Sequence, residues 1–361
     1  MRVAVLGAGG IIAPAIVRDL AESDEVNRLL LLDLDEARAR ATGEAHAPDA
    51  EVARVDPNGG LGYLLTGVDV LVNSASYRVN LDAMRACLEA GSHYIDLGGL
   101  YHLTTRQLEL DHDFTAVGKL ALLGMGSSPG KTNVMGVRAT EELGAAPELM
   151  DVYAAGRDLD PPAGPSYPYA PRTLVDELTE PPMALRGGEP VALEPMQDGG
   201  SYPFPEPIGQ GASIYTLHSE VRTFGDSFGC ADCSFRLSLA PAVLERVRAL
   251  VGADDDTIAA AAAEAVPSSG RTVSVHVVTA RAGDRLVTVT AKTEGLADWG
   301  IGGGIVSTAA PAAAAVRLIA RGDVKAVGAM PPERCIRPED LFPELERRNC
   351  TFDVATEEGA P

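Results

Sequence analysis

The chemistry this sequence can do is concentrated in a glycine cluster near its start, a few acids at the ends of apolar runs, and a late tyrosine, arginine and histidine. Gly7, Gly9 and Gly10 directly follow the apolar run of residues 2–6, and residues 11–20 then read as a helix. Residues 28–33 read as a second strand ending in Asp33. A strand, a glycine bend, a helix and a strand closed by an acid are what holding a dinucleotide requires. Gly7 permits a tight turn, and Gly9 lacks a side chain that would keep a pyrophosphate from the backbone. The phosphates would meet the positive helix end, at Gly10, Ile11 and Ile12. Asp33 and Leu34 would meet the adenosine ribose. Asp33 would repel a 2′-phosphate, so NAD is expected over NADP, although Arg38 and Arg40 lie close by. Ile12 stands at the third glycine position of the motif, so helix and strand are expected to pack less closely there.

Those residues need a sheet to hold them, and the sequence supplies its rhythm. Strands are expected at 51–55, 69–73, 93–96 and 120–123, with helices at 36–45, 81–90 and 104–117. This alternation predicts a doubly wound α/β domain of Rossmann type with a parallel sheet. Ligands of such sheets bind beyond the carboxyl ends of the strands. Asp56, Asn73, Ser74, Ala75, Tyr77, Asp96, Gly98 and Pro129 are therefore further candidate cofactor contacts. Asp96 emerges from a buried strand into a Gly-Gly turn, where it would orient substrate or pass a proton, or simply cap the turn. Gly130-Lys131-Thr132 looks like part of a phosphate loop. The motif needs a glycine where Met125 stands, and Pro129 lacks an N–H, so a fixed turn ahead of a helix is the better reading. Lys131, Thr132 and Asn133 would then face a substrate carboxylate.

After Pro147 the pattern changes to an α+β mixture. Strands are expected at 228–239, 272–280 and 286–293, and helices at 241–251 and 254–265. Residues 302–304 are glycines opening a long alanine-rich helix, expected to return to the first domain. Its start would be either a second anion-facing helix end or a plain buried helix. The expected domains are 1–130, joined by about 300–361, and an inserted substrate and dimerisation domain at 131–299. Residues from 340 onward read as a polar, partly helical end. His218 is expected on a strand, as a proton-transfer group or an ordinary core or surface histidine.

The 361 residues carry a formal net charge of −21. That charge opposes nucleic acid and anionic membranes as partners. No clean membrane-spanning stretch and no leader peptide is read, so a cytoplasmic location is expected. The five cysteines give no disulfide framework, and Cys230 and Cys233 have no second pair to complete a zinc site, so no metal is expected. A strand through both would put the two thiols on opposite faces.

The runs GAGGIIAPAIVRDL, LLLDLD, DVLVNSASYRVN, AGSHYIDLGG, GMGSSPGKTNVMG and RGDVKAVGAMPPERCIRPED together resemble the saccharopine dehydrogenase family, most closely its lysine 6-dehydrogenase-like members. The resemblance implies a usually dimeric NAD(P)-linked dehydrogenase that oxidises the C–N bond of an amino acid or secondary amine. It implies the dinucleotide contacts named above and a substrate-contacting stretch at Tyr169-Ala170-Pro171-Arg172. Tyr169, His218 or Asp96 would move protons, and Arg172 would clamp a substrate carboxylate. Ala170 and Lys131 depart from the pattern and place lysine itself in doubt as the substrate. An imine reductase or reductive aminase using the same parts, and a non-catalytic NAD-binding regulator, are the competing readings.

Overall fold

The computed structural model describes residues 1–57 and 59–358. In chain order the first elements are β1 (Arg2–Leu6), α1 (Ala13–Ala21), β2 (Arg28–Asp33), α2 (Glu36–His46), β3 (Glu51–Arg54), α3 (Leu61–Leu64) and β4 (Val70–Asn73). They continue as α4 (Asn80–Ala90), β5 (His93–Asp96), α5 (Leu100–Leu108), α6 (Asp111–Ala116) and β6 (Leu120–Leu122). Then follow α7 (Lys131–Leu143), β7 (Leu149–Asp158), α8 (Pro171–Thr179), β8 (Met183–Arg186), β9 (Glu189–Ala192), β10 (Asp198–Pro203), β11 (Gln210–Tyr215) and α9 (Glu220–Phe228). The chain ends with β12 (Asp232–Ser238), α10 (Pro241–Ala249), α11 (Asp255–Ala263), β13 (Thr272–Ala282), β14 (Arg285–Thr293), α12 (Gly303–Arg321), β15 (Gly328–Met330), α13 (Pro338–Glu346) and β16 (Cys350–Glu358).

Two compact units result. One comprises residues 1–131 and 308–344, the other residues 132–307 and 345–361. The first is an α/β unit around a seven-stranded parallel sheet in the order β15-β6-β5-β4-β1-β2-β3. The order reverses between β1 and β4, so the loops after these strands diverge and leave a crevice at their carboxyl ends. β1, β4 and the middle of β2 are apolar on both faces, as expected of strands covered on both sides. The second unit holds a nine-stranded mixed sheet with β12 and β7 parallel at its centre and antiparallel partners outside them.

Several sequence expectations need correction. The helix expected at 104–117 is two helices. Asp111 and Asp113 favour a new start there, and Asp111 Oδ1 accepts from Ala329 N–H at 2.9 Å, tying α6 to β15. The strand expected from residue 228 starts at Asp232, because Gly229 ends α9 in the left-handed conformation with φ 74°. Cys230 therefore precedes the strand, and its thiol shares a hydrogen bond with that of Cys233.

The expected return of residues 300–361 to the first unit also fails at both ends. α12 begins in the second unit, where a Cβ on Gly303 would lie 2.2 Å from the Thr293 carbonyl oxygen. Gly304 N–H donates to Thr272 Oγ1 at 3.1 Å. The glycines serve close backbone packing against β13 and β14 there. The polar end is a strand: β16 pairs with β14 over its whole length, from Thr293 opposite Cys350 to Arg285 opposite Glu358. An edge strand with a solvated face tolerates that many charges.

Among the described residues α12 alone is long and apolar enough to cross a bilayer, with mean hydropathy 1.4, yet 78% of that stretch is buried inside the protein. Its Arg317 is buried and donates to Asp19 Oδ1 at 2.8 Å and Glu344 Oε2 at 2.7 Å, both acids also buried. Removing the guanidinium would take a charged partner from each of two buried carboxylates, although Glu344 keeps Arg321 at 2.8 Å. Arg317→Leu is expected to cost about 3–5 kcal/mol in urea unfolding. A loss below about 1 kcal/mol would mean that these carboxylates are solvated.

Candidate functional site

The bend after β1 is built from bonds within the chain. Gly7 and Ala8 N–H both donate to the Leu32 carbonyl, at 2.8 and 3.1 Å, and Gly10 N–H donates to the Gly7 carbonyl at 2.9 Å. Gly9 N–H donates to Asp33 Oδ2 at 2.8 Å, and Asp35 N–H to Asp33 Oδ1 at 2.9 Å. Gly7 has φ +77°, and a Cβ there would lie 2.6 Å from the Ala75 nitrogen. Gly9 departs from its expected role: a Cβ on it would strike Arg38 Cβ at 2.6 Å, so its bareness serves packing against α2.

The groups left for a ligand come next in the chain. The N–H groups of Ile11, Ile12 and Ala13 have no acceptor among the described residues, and the N-cap residue Ile12 supplies no side-chain cap to α1. Four orphan N–H groups at a helix start are normally capped or bound by an anion. Across the crevice, Ser74 Oγ is buried without a hydrogen-bond partner. Ile11 and Leu34 stand 54% and 58% exposed. Open backbone donors, an orphaned hydroxyl and two bare apolar side chains fit a dinucleotide's phosphates and adenosine. Tyr77 is half-buried in the turn that follows, whereas Asp56 is exposed beyond edge strand β3 and bridges to Gly59.

Asp96 is not placed as a proton-transfer group. It is 1% exposed, and its two oxygens accept four N–H bonds. Oδ1 takes Gly98 N–H at 2.9 Å and Gly124 N–H at 2.7 Å. Oδ2 takes Gln107 Nε2 at 2.6 Å and Asn80 Nδ2 at 3.1 Å. Burial pushes its pKa up, and these donors oppose that. Asn80 Oδ1 accepts from Asn73 Nδ2 at 2.9 Å, and Asn73 Oδ1 from Ala75 N–H at 3.1 Å. Asn73 thus shapes the loop and is itself buried. The Pro129 ring fills the space beside two glycines, since a Cβ on Gly98 or Gly124 would lie 2.9 or 2.6 Å from it. Pro129 is therefore a packing residue. Lys131, expected at a substrate carboxylate, is 1% exposed, and Asn133 is equally buried.

In the second unit the fold brings Tyr169, His218 and Thr132 into one cluster of hydrogen bonds and ion pairs. Two acids absent from the sequence-based candidates link them. Tyr169 donates to Glu177 Oε2. Glu177 Oε1 lies 3.9 Å from His218 Nε2, and His218 Nδ1 lies 3.1 Å from Glu220 Oε2. Thr132 Oγ1 donates to Glu220 Oε1 at 2.8 Å. The imidazole stacks on Phe235 at 3.5 Å between ring centres. His218 is not on a strand but in the short connection between β11 and α9. Burial alone would lower its pKa, but Glu220 and then Glu177 outweigh that and raise it. Burial also raises Glu177, and raises Tyr169 well above the ordinary phenol value. The His-Ser-Glu sequence at 218–220 was a usable signal for Glu220, while Glu177 carried none. Arg172 does not stand ready as a clamp: it pairs with Asp176 at 2.8 Å and also with Asp255.

Two tests follow from these contacts. An amide in place of the Asp96 carboxylate has one acceptor oxygen, so two of its four buried donors lose their partner. Asp96→Asn is expected to lose stability by about 1–3 kcal/mol per orphaned donor in chemical unfolding. Unchanged stability with abolished turnover would restore a chemical role. For His218, whose folded pKa lies above 6.5, the stabilisation is full below that value and lost as pH rises through the folded pKa. The stability advantage over His218→Gln should therefore be full below about pH 6.5 and shrink as pH rises above it. A difference independent of pH would mean that the imidazole carries no charge.

Residues 3–122 match the family model described as saccharopine dehydrogenase NADP binding domain. The fold resembles that of apo saccharopine dehydrogenase (L-Glu forming) from Saccharomyces cerevisiae, with TM-score 0.72 and 15% identity over 99% of each chain. A probable dehydrogenase from Thermotoga maritima aligns with TM-score 0.48 and 14% identity over 98% of each chain. Residues 3–122 are thus similar to the NAD(P)-binding domain of saccharopine dehydrogenases, and the whole chain shares the fold of the yeast enzyme.

Proposed function

We propose that the protein is an NAD(P)-dependent oxidoreductase acting on the C–N bond of an amino acid or secondary amine, with NAD as a cofactor. The observation that carries this reading is the open set of N–H groups at Ile11, Ile12 and Ala13 after β1, together with the orphaned Ser74 hydroxyl after β4, at the reversal of strand order. The saccharopine dehydrogenase match of the same domain supports the C–N chemistry. Bound dinucleotide would accept a hydride from the carbon bearing nitrogen.

Oxidation of an amine to an imine also releases a proton, which the chain must take up. Tyr169 and His218, joined through Glu177, are the groups assigned to it. Burial and Glu177 hold the Tyr169 proton on, so Tyr169 relays by handing its own proton to Glu177 as it receives one, and the Glu177–His218–Glu220 group takes up the net proton. Asp96 and Arg172 are left out of this assignment, because both are already bonded within the chain.

The test is absorbance at the reduced-nicotinamide band across amino acids and secondary amines, with NAD and NADP side by side. Turnover is expected with a substrate of this class, and Tyr169→Phe and His218→Gln should lower kcat by about 10²–10⁴ while leaving dinucleotide affinity unchanged. Cofactor consumption only with a carbonyl and an amine would reverse the direction of the reaction. Tight dinucleotide binding without turnover on the whole panel would make the protein a non-catalytic sensor.

A further inference from the structure

We infer that Cys230 and Cys233 are a reversible redox-modification site, closed to a disulfide by a peroxide and reopened by a dithiol. A strand through both residues would hold the thiols apart, and the fold removes that obstacle. Gly229 ends α9 with φ 74°, so Cys230 lies in the bend before β12, and Cys233 is already on the strand. The residues between them are pinned. Ala231 and Asp232 N–H both donate to the Glu148 carbonyl at 3.0 Å, and the Ala231 carbonyl accepts from Gly188 N–H at 2.8 Å. This bend turns the two free thiols onto each other, and they share a hydrogen bond.

Sharing that bond makes the two sulfurs unequal. It lowers the Cys230 pKa against the effect of burial, and it raises that of Cys233. The more acidic thiol is the nucleophile of such a pair, and its neighbour resolves the product. Cys230 is buried, but it follows exposed Gly229 and precedes half-buried Ala231, so the thiol lies just beneath the surface, within reach of a molecule as small as hydrogen peroxide. The Cys230 thiolate attacks one peroxide oxygen and the O–O bond breaks. The other oxygen leaves as hydroxide and takes up the proton that Cys230 gave up, forming water. The Cys233 sulfur then attacks the sulfenic sulfur, the S–O bond breaks, and the Cys233 proton leaves with the hydroxide as a second water. Both thiols are oxidised and the peroxide is reduced to water. The two cysteines are close in sequence, so closure removes little chain entropy and the bridge stays open to reduction. Cys233 shares a face of β12 with Phe235, on which His218 stacks, so the bridge forms beside the proton-transfer group assigned above. The inference does not depend on that group's role.

The test is mass spectrometry of the whole chain, treated with hydrogen peroxide, unfolded in excess iodoacetamide and digested with trypsin. Cleavage after Arg222 and Arg236 puts both thiols in the peptide 223–236, apart from Cys87, Cys335 and Cys350. This peptide is expected unalkylated and lighter by two hydrogens, and alkylated at both sites when dithiothreitol follows the peroxide. Its oxidation should be at least about tenfold faster than that of the other three cysteines. In Cys233→Ser, Cys230 should stop at a sulfenic acid that dimedone traps, whereas Cys230→Ser should leave Cys233 a thiol. Alkylation of both thiols in the treated natural chain, passage of Cys230 straight to the sulfinic acid, or bridging to another cysteine overturns the inference, whether or not either variant folds.

Discussion

One buried carboxylate sets the geometry of the parallel sheet's carboxyl end. Asp96 receives N–H bonds from the turn after β5, the end of β6, helix α5 and helix α4. Isolated in a protein interior, an ionised carboxyl is costly to desolvate; four converging donors offset that cost only if each segment sits where it does. The constraint is then passed along. Asn80, held by Asp96, holds Asn73, and Asn73 fixes the Ala75 nitrogen. Ala75 is the backbone against which Gly7 lies too closely for any side chain. A polar relay thus runs from β5 through β4 to the bend after β1, and the crevice at the strand reversal inherits its shape from a residue that does not line it.

The same region shows two uses of glycine that the sequence alone does not separate. Gly7, Gly98 and Gly124 allow backbone loops and the Pro129 ring to stack without intervening side chains. Gly9 does likewise beneath Arg38. The ligand-facing groups are supplied by residues that the motif treats as filler, Ile11 and Ile12, whose N–H groups stay open because the glycines before them bend back onto Leu32 and Asp33. Ile12 in place of the third glycine leaves this arrangement intact, since α1 starts at Ala13. Anion binding at such a helix start depends on unpaired N–H groups, which the bend preserves.

Legibility in the sequence follows the range of the interactions. The strands of the parallel sheet through β6, and the helices α1, α2 and α4, were readable because each is a short apolar or amphipathic run closed by a polar turn. The acid at the end of β2 was readable for the same reason. Gln107, Asn80 and Glu177 were not, because their partners are side chains 8 to 16 residues away that only the fold brings near. Arg172 was misread despite a local signal: Asp176 one helical turn later already occupies it. The helical part of the polar end is α13, whereas β16 went unread because an edge strand exposes charge on one face. His218 was placed on a strand by the apolar run before it, when β11 ends at Tyr215.

The second unit's polar chain differs in kind from the Asp96 cluster, and the difference bears on what each can do. Around Asp96 four N–H donors from separate segments converge, so the cluster holds loops in place. Around His218 two carboxyl groups share one imidazole and one phenol, all largely buried. Burial pushes Glu177 up, and Glu220 and Glu177 push His218 up against the effect of its own burial. Such a pair titrates as a unit, taking up or releasing a proton with little rearrangement. Half-buried Tyr169 joins this unit to the less buried side of the cluster. A network with a donor for every acceptor is scaffolding; one with two carboxyl groups around a single histidine has the composition that the proposed proton transfer would use.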